Sequence, residues 1–372
     1  MTVRRWVAAA LVAAVIAAAP PVTATETAAS SVTADADWIL RSQLPDGAIP
    51  HYADQVLVQP YFSNFAAMGL ARATEVTGDA RYAGAAWRWL SWYQAHQDSS
   101  GFVTDYAITD GVTAASTGDM DSTDAYAGTF LLATWRTWRV TRDRSALAGL
   151  RRGLGSAVAA IEATQDTDGL TWAKPSWRVK YLMDQAEAFA GLRAAADLAG
   201  ELGDDTLARR ATTDADRMRA GVDALWNPAT KSYDWAVYAS GARQATDWSV
   251  LYPDALQQSW AVAFGMVGAS RGGSLMARID ATHPKWDQPA ATDTFGWGPG
   301  PVGYWPVVGW AMSRVGMSDR AELAADRMRA AAVESARAWP YTTGHAGQMI
   351  QLESADRSYL PPLSGLRTKF RR

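Results

Sequence analysis

The chain contains no cysteine, which excludes disulfide scaffolds, thiolate zinc sites, iron–sulfur clusters and thiol nucleophiles. Histidine is scarce as well. The four present, His51, His96, His283 and His345, are far apart and show no HExxH-like metal spacing. Any metal would need mostly oxygen ligands, and neither a metal nor an organic cofactor is expected. Charge of one sign is missing too: 35 basic and 38 acidic residues leave a formal net charge of −3. The chain therefore lacks the basic surplus of a dedicated nucleic-acid binder. After the N-terminus no apolar run reaches membrane length.

What is present is core-forming material. Of 372 residues, 48% are hydrophobic and 20% charged, so disorder is excluded and a large core can be buried. Tryptophan is abundant at 18, with 13 tyrosines and 8 phenylalanines. The first residues read as an export signal. Arg4 and Arg5 precede an apolar stretch over 6–19, Pro20 and Pro21 break it, and small residues lead to a cleavage point after Ala24. Residues 1–24 are thus expected to be a signal peptide and 25–34 a flexible lead. The mature protein is expected to be secreted or extracytoplasmic, without membrane attachment once the signal is removed.

Internal repetition sets the architecture. One class of helical segment is amphipathic, as in Leu147, Leu150, Leu154, Val158 and Ile161, or Leu207, Ala211, Met218, Val222 and Leu225. Segments 79–96 and 318–338 belong with them, and 35–43 and 274–282 are shorter members. The other class is small and apolar nearly all round: 65–73, 125–135, 186–199, 260–268, 307–312 and 345–352. A helix with no polar face must be surrounded by protein. Six alternations of outer and inner helix predict an all-α fold, an (α/α)6 toroid over residues 35–355, followed by a tail over 356–372. A linear solenoid fits the alternation less well, because the links into the inner helices are long.

Inner-to-outer links are short turns, whereas outer-to-inner links are long and rich in Asp, Gly, Trp and Tyr. Function is expected on the long-loop face. There the inner helices begin, with Asn64 in the first entry, Asp121 and Asp124 in the second, Asp184 and Glu187 in the third, and Asp254 and Gln258 in the fourth. Asp and Asn at helix starts are ordinary caps. However, Asp124 follows Asp121, and Glu187 follows Asp184, at a spacing that shares one helix face. A Glu in the first turns of an apolar helix points into a polar cavity or is buried at high cost.

In its repeat layout and in the stretches 43–49 (QLPDGAI), 119–126 (DMDSTDAY) and 181–192, the chain resembles the six-hairpin glycosidase superfamily. The resemblance spans residues 35–355 and implies an (α/α)6 barrel that hydrolyses glycosidic bonds with an acidic pair at the loop-rich pole. Such chemistry needs one protonated carboxyl and one carboxylate and no metal or cofactor. On position, Asp124 is the expected base and Glu187 the expected acid, with Asp184, Asp121, Asp46 and Asp254 in reserve. Asp46, in a Pro-Asp-Gly turn, also has a plain turn reading. Sugar contacts are expected from Asn64, Trp177, Tyr181, Trp248, Tyr252, Gln258 and Trp297, since flat aromatics stack on sugar faces. Trp87, Trp89, Trp92, Trp135 and Trp138, within helices, are expected to be packing residues.

Two Gln-Asp-x-x-Gly turns, at 97–101 and 165–169, repeat at one point of successive hairpins and read as scaffold. Arg178 and Lys180 are expected to be counter-charges for Asp184 and Glu187. A carbohydrate is the expected partner. A lyase using Tyr181 with Arg178 and Lys180, an epimerase using His51 and His345, and a non-catalytic carbohydrate binder are the alternatives.

Overall fold

The computed structural model describes residues 24–52, 57–109, 114–289 and 303–354. The signal-peptide reading over 1–23, the tail over 356–372 and Trp297 lie outside the described residues.

Thirteen α-helices occur among the described residues. In chain order they are α1 (Ala24–Ser42), α2 (Pro60–Thr77), α3 (Ala80–Ala95), α4 (Asp124–Thr141), α5 (Arg144–Gly149), α6 (Arg151–Thr164), α7 (Leu182–Leu202), α8 (Asp205–Asp223), α9 (Leu256–Ala263), α10 (Ala269–Thr282), α11 (Pro306–Arg314), α12 (Ser318–Glu334) and α13 (Thr343–Glu353). The inner helices α2, α4, α7, α9, α11 and α13 each pack on the next, and α13 returns to α2. The ring is closed. α1, α3, α6, α8, α10 and α12 lie outside it, most of them seated between two successive inner helices. The chain is thus an (α/α) toroid of helical hairpins, as the repeat pattern predicts.

Small residues make this closure possible. A Cβ on Gly69 of α2 would lie 2.4 Å from the Gly347 Cα of α13, and one on Gly191 of α7 would lie 2.3 Å from the Gly128 oxygen of α4. No side chain fits at either crossing, so the helix backbones touch. Across the ring, Phe65 of α2 meets Phe264 beyond α9 at 6.2 Å, and Phe264 meets Trp310 of α11 at 5.5 Å. The fully buried Arg136 of α4 donates to Gln351 of α13 and lies 5.2 Å from the Trp310 ring. These side chains fill the axis, leaving any cavity above them.

The two faces differ as expected. Short turns pair a left-handed residue with an aspartate N-cap: Gly78 (φ 76°) with Asp79, Arg142 (φ 52°) with Asp143, Gly203 (φ 71°) with Asp204. The opposite face carries the long links. They hold a small sheet of β1 (Leu57–Val58), β2 (Tyr106–Ile108) and β3 (Ala114–Ser116), and another of β4 (Val179–Tyr181), β7 (Ala236–Tyr238) and β8 (Arg243–Gln244). Between them in sequence, β5 (Trp226–Asn227) and β6 (Ser232–Tyr233) form a hairpin.

The Gln-Asp-x-x-Gly turns are scaffold indeed, and the Gln-Leu-Pro-Asp-Gly turn at 43–47 is held in the same way. Gln43 Nε2 donates to the Gly47 and Ala85 oxygens, Gln97 Nε2 to the Gly153 oxygen, and Gln165 Nε2 to the Gly169 and Asp214 oxygens. Each side chain ties its own link to the next outer helix.

Two expectations on extent are corrected. Residues 25–34 are not a flexible lead but the first turns of α1, because Val32, Ala36 and Ile39 bury one helical stripe and Ser31 donates to Glu353 at 2.6 Å. The inner segment 260–268 is shorter at its end: α9 stops at Ala263, and Gly265 turns left-handed (φ 77°).

The crossings give a direct test. Gly69→Ala should cost about 1–3 kcal/mol in urea unfolding, since the backbones must part. Gly84→Ala, on α3 with only the Arg88 guanidinium within 4 Å, should be neutral or add up to about 1 kcal/mol. Equal effects at the two positions would show that backbone contact does not close the ring.

Candidate active site

Helical geometry decides which side chains enter the cavity. On α2, Tyr61 and Phe65 are one turn apart and both face the axis, as do Trp260 and Phe264 at α9. On α7, Asp184 and Glu187 are likewise one turn apart. Tyr61 OH donates to Glu187 Oε1 at 2.7 Å, and Trp260 Nε1 donates to the same oxygen at 2.8 Å. Three inner helices therefore converge on one carboxyl.

Glu187 is fully buried and its Oε2 has no partner. Burial pushes its pKa up to about 8, with the Tyr61 and Trp260 hydrogen bonds opposing. The group is neutral at pH 7. Since Oε1 accepts two hydrogen bonds, the proton belongs on Oε2.

Asp184, one turn earlier on α7, is also buried, with 6% exposure against 0% for Glu187 and Asp124. Its pKa is raised well above the usual carboxylate range by burial, then by the charges of Asp124, Glu187 and Asp121. No hydrogen bond opposes that rise.

Asp124 is in a different position. Oδ1 accepts from Ser122 Oγ and from the Ala125 amide, and Oδ2 is 2.6 Å from Thr171 Oγ1. The same hydroxyl lies 3.0 Å from Gln185 Oε1, so two acceptors compete for one hydrogen. A protonated Asp124 resolves the conflict by donating to Thr171, and burial raises its pKa accordingly. Asp124 is thus built into the wall.

Asp121 is exposed and precedes α4, which begins at Asp124. The two do not share a helix face as expected; only Asp184 and Glu187 do. Its position among the mouth loops raises the Asp121 pKa by desolvation, and the Lys174 charge opposes that rise. The Asp121 charge acts in turn on Asp184, Glu187, Tyr181 and Tyr252, which places it at the mouth of the same pit. Tyr126 OH donates to Asp105 Oδ1 at 2.7 Å beside it.

Cations are absent where the buried acids meet. Among the described residues, the buried Asp35, Asp214, Asp234 and Asp287 each have an arginine within 4.0 Å. Asp124, Asp184 and Glu187 form no ion pair. Lys180, expected opposite Asp184 and Glu187, instead binds Asp166 and Asp168 at 2.8 Å and lies over Trp172. Its strand, β4, turns that side chain toward the Asp166–Gly169 turn, away from the pit. No group of three or more metal-ligating side chains occurs among the described residues.

The remaining expected residues divide. Tyr252 stacks on Trp305 (5.6 Å), and Trp305 meets Trp260 edge-on (6.5 Å), so this pair lines the pit. Tyr181 stacks on Trp235 at 6.1 Å and accepts from Trp177 Nε1 at 3.0 Å, forming part of the rim. Asn64 points instead into the wall, between Trp89 Nε1, Thr129 Oγ1 and the Tyr126 oxygen. Gln258 clasps Tyr233 and Thr246, Trp248 lies under Arg278 of outer helix α10, and Asp254 accepts from the Asp247 amide. Asp46 accepts from Trp92 of outer helix α3 and from the Ala48 amide. These five are scaffold contacts. Tyr61, Trp260 and Trp305 are not among the expected site residues, although each is one helical turn or one helix start from a named core residue.

Solved structures share this fold. A glycosidase variant in complex with glucose superposes with a TM-score of 0.65 at 16% identity, covering 89% of this chain and 97% of that one. A GH63 mannosylglycerate hydrolase from Thermus thermophilus gives 0.61 at 14% identity, covering 88% and 100%. A metal-independent alpha mannosidase from Streptococcus pneumoniae gives 0.66 at 11% identity, covering 88% and 93%. No protein-family model and no curated protein matches the chain. The chain therefore shares the predominantly helical toroid fold of these glycosidase structures.

The buried acid carries a pH signature. Between the unfolded pKa near 4.5 and the folded value of about 8, the folded state keeps a proton that the unfolded state has lost. Stability must then fall as pH rises through that window. Glu187→Gln reproduces the neutral acid and should flatten part of the fall. In urea unfolding, the variant should match the parent near pH 5 and exceed it near pH 8.5. An unchanged slope would refute the neutral, buried Glu187.

Proposed function

We propose that the chain is a glycoside hydrolase acting in this pit, with Asp184 as the proton donor and Asp121 as the carboxylate that activates water or attacks carbon. The observation that carries it is a set of buried carboxyls, Asp124, Asp184 and Glu187, without a counter-cation among the described residues, gathered where the inner helices α4 and α7 begin, with Asp121 just before α4. Asp184 is pushed strongly toward its protonated form by burial and by the charge of Asp121, with no cation opposing. Asp121 is exposed at the mouth, and the Lys174 charge opposes the rise that desolvation causes there, so the two carboxyls can divide acid and base work. Asp124 and Glu187, the expected pair, act instead from beneath. Asp124 is tied to Ser122, Ala125 and Thr171, and Glu187 holds Tyr61 and Trp260 in place.

The shared fold of glycosidase and mannosidase structures supports the same reading, and the mouth suits a carbohydrate. A lyase would need cations for a uronate; Lys180 is already engaged by two aspartates, and Arg178, expected beside Asp184 and Glu187, is exposed and pairs with neither. An epimerase would need a free imidazole. His51 is buried between Tyr52 and Phe62, at 4.3 and 4.1 Å, and its pKa is lowered to about 4 by burial. His345 accepts from the Thr342 amide. A mere binder would gain nothing from uncompensated acids that cost stability. With the signal reading of 1–24, we place this activity outside the cytoplasm.

Leaving-group chemistry separates the roles. Asp184→Asn should lose at least about 100-fold on oligosaccharides yet keep most of its action on a dinitrophenyl glycoside, whose leaving group needs no proton. Asp121→Ala should lose both, with azide restoring the aryl substrate. Activity of the parent should decline as pH rises and Asp184 ionises. Undiminished oligosaccharide cleavage by both variants, read by reducing ends, would overturn the assignment.

A further inference from the structure

Resting on the hydrolase reading, we infer that the substrate is an extended neutral oligosaccharide, held beyond the pit on an aromatic ledge made by Trp177, Tyr181 and Trp235. Trp177 is 54% exposed, which is ordinary for a single surface side chain. Its ring is nonetheless fixed. Trp177 Nε1 donates to Tyr181 OH at 3.0 Å, and the turn beneath is closed by Trp177 N to the Lys174 oxygen (3.0 Å) and Val179 N to the Trp177 oxygen (3.0 Å). Tyr181 is in turn parallel to Trp235, 6.1 Å apart with 5° between planes. Two of the three rings come from adjacent paired strands or their edge, since Tyr181 ends β4 and pairs with Ala236 of β7.

The ledge is continuous with the pit. Tyr181 immediately precedes α7, which presents Asp184 at its third residue, and both the Asp184 and the Asp121 charges act on the Tyr181 hydroxyl. A pre-ordered flat aromatic surface binds at little entropic cost, and sugar rings offer apolar faces that stack on it. A substrate no larger than the pit would leave this surface unused. The sign of charge narrows the class further. Asp105, Asp119 and Asp121 lie around the mouth, and Lys174 is bound to Asp119 at 3.0 Å and to the Met120 oxygen. With the exposed Arg178 counted beside Lys174, the three acids still outnumber the two cations, so a neutral chain fits better than an acidic one.

The test compares substrate lengths. Manno- and gluco-oligosaccharides from two to six units and an aryl monoglycoside would be assayed with the parent, Trp177→Ala and Trp177→Phe. KM of the parent should fall with chain length. Trp177→Ala should raise KM about tenfold for the longest chains and progressively less for shorter ones, and Trp177→Phe should recover much of the loss. A KM that ignores Trp177 at every length overturns the ledge. If the parent cleaves none of these sugars, the hydrolase reading fails separately. The ledge is then judged by titrating the hexasaccharides against tryptophan fluorescence: quenching lost in Trp177→Ala upholds it, and no binding by the parent overturns it.

Discussion

Everything in this molecule depends on how closely the inner helices approach one another. At Gly69 with Gly347, and at Gly128 with Gly191, backbone meets backbone with no room for a Cβ. The first crossing joins the first inner helix to the last and so closes the ring. Close approach narrows the axis until Phe65, Phe264, Trp310 and Arg136 fill it from different helices. Only then can Tyr61, Trp260 and Glu187, from three helices, meet within hydrogen-bond distance. A wider ring built of leucine-sized contacts would leave those groups apart and the axis open.

The same closure explains the electrostatics. All six inner helices start on one face, so their polar first turns are pressed together around a single axis. Elsewhere the fold provides arginine for several of its buried acids. Asp287, fully buried, takes both Arg320 and Arg327, and Asp35 takes Arg337. In the pit it provides hydroxyls, an indole and amides instead. Neutral donors permit a carboxyl to keep its proton, whereas a guanidinium would strip it. Withholding cations from one small region is therefore the feature that turns a helix-packing arrangement into a proton-holding one.

How much of this could be read from residues alone follows from what pattern conveys. Apolar inner helices, amphipathic outer ones and unequal link lengths identify the toroid, because burial on all sides and burial on one side leave different periodicities. The pair Asp184 and Glu187 is legible for the same reason: two acids one turn apart on an apolar helix have few places to go. Pattern does not convey azimuth. Asn64 and Tyr61 stand three residues apart at one helix start, yet only Tyr61 faces the axis, in phase with Phe65. Asp121 and Asp124 have helical spacing, yet the helix begins only at the second of them. Lys180 lies close to Asp184 in sequence, but strand alternation sends it to the Asp166–Gly169 turn. Each departure is a direction that spacing leaves undetermined and tertiary contact fixes.

The glutamines extend this point from position to purpose. Gln43, Gln97 and Gln165 clamp their links to outer helices, while Gln185 and Gln258 clamp loops across inner ones, through Thr171 and through Tyr233 with Thr246. A primary amide both donates and accepts, so one side chain can satisfy a loop amide and a loop carbonyl together. Long links would otherwise bring unpaired backbone into the structure, at a cost for each buried group. Amides also carry no charge, so none of them strips a proton from the acids in the pit. Gln185, by competing with Asp124 for the Thr171 hydroxyl, favours the protonated Asp124, which ties loop rigidity and proton retention to one choice of residue.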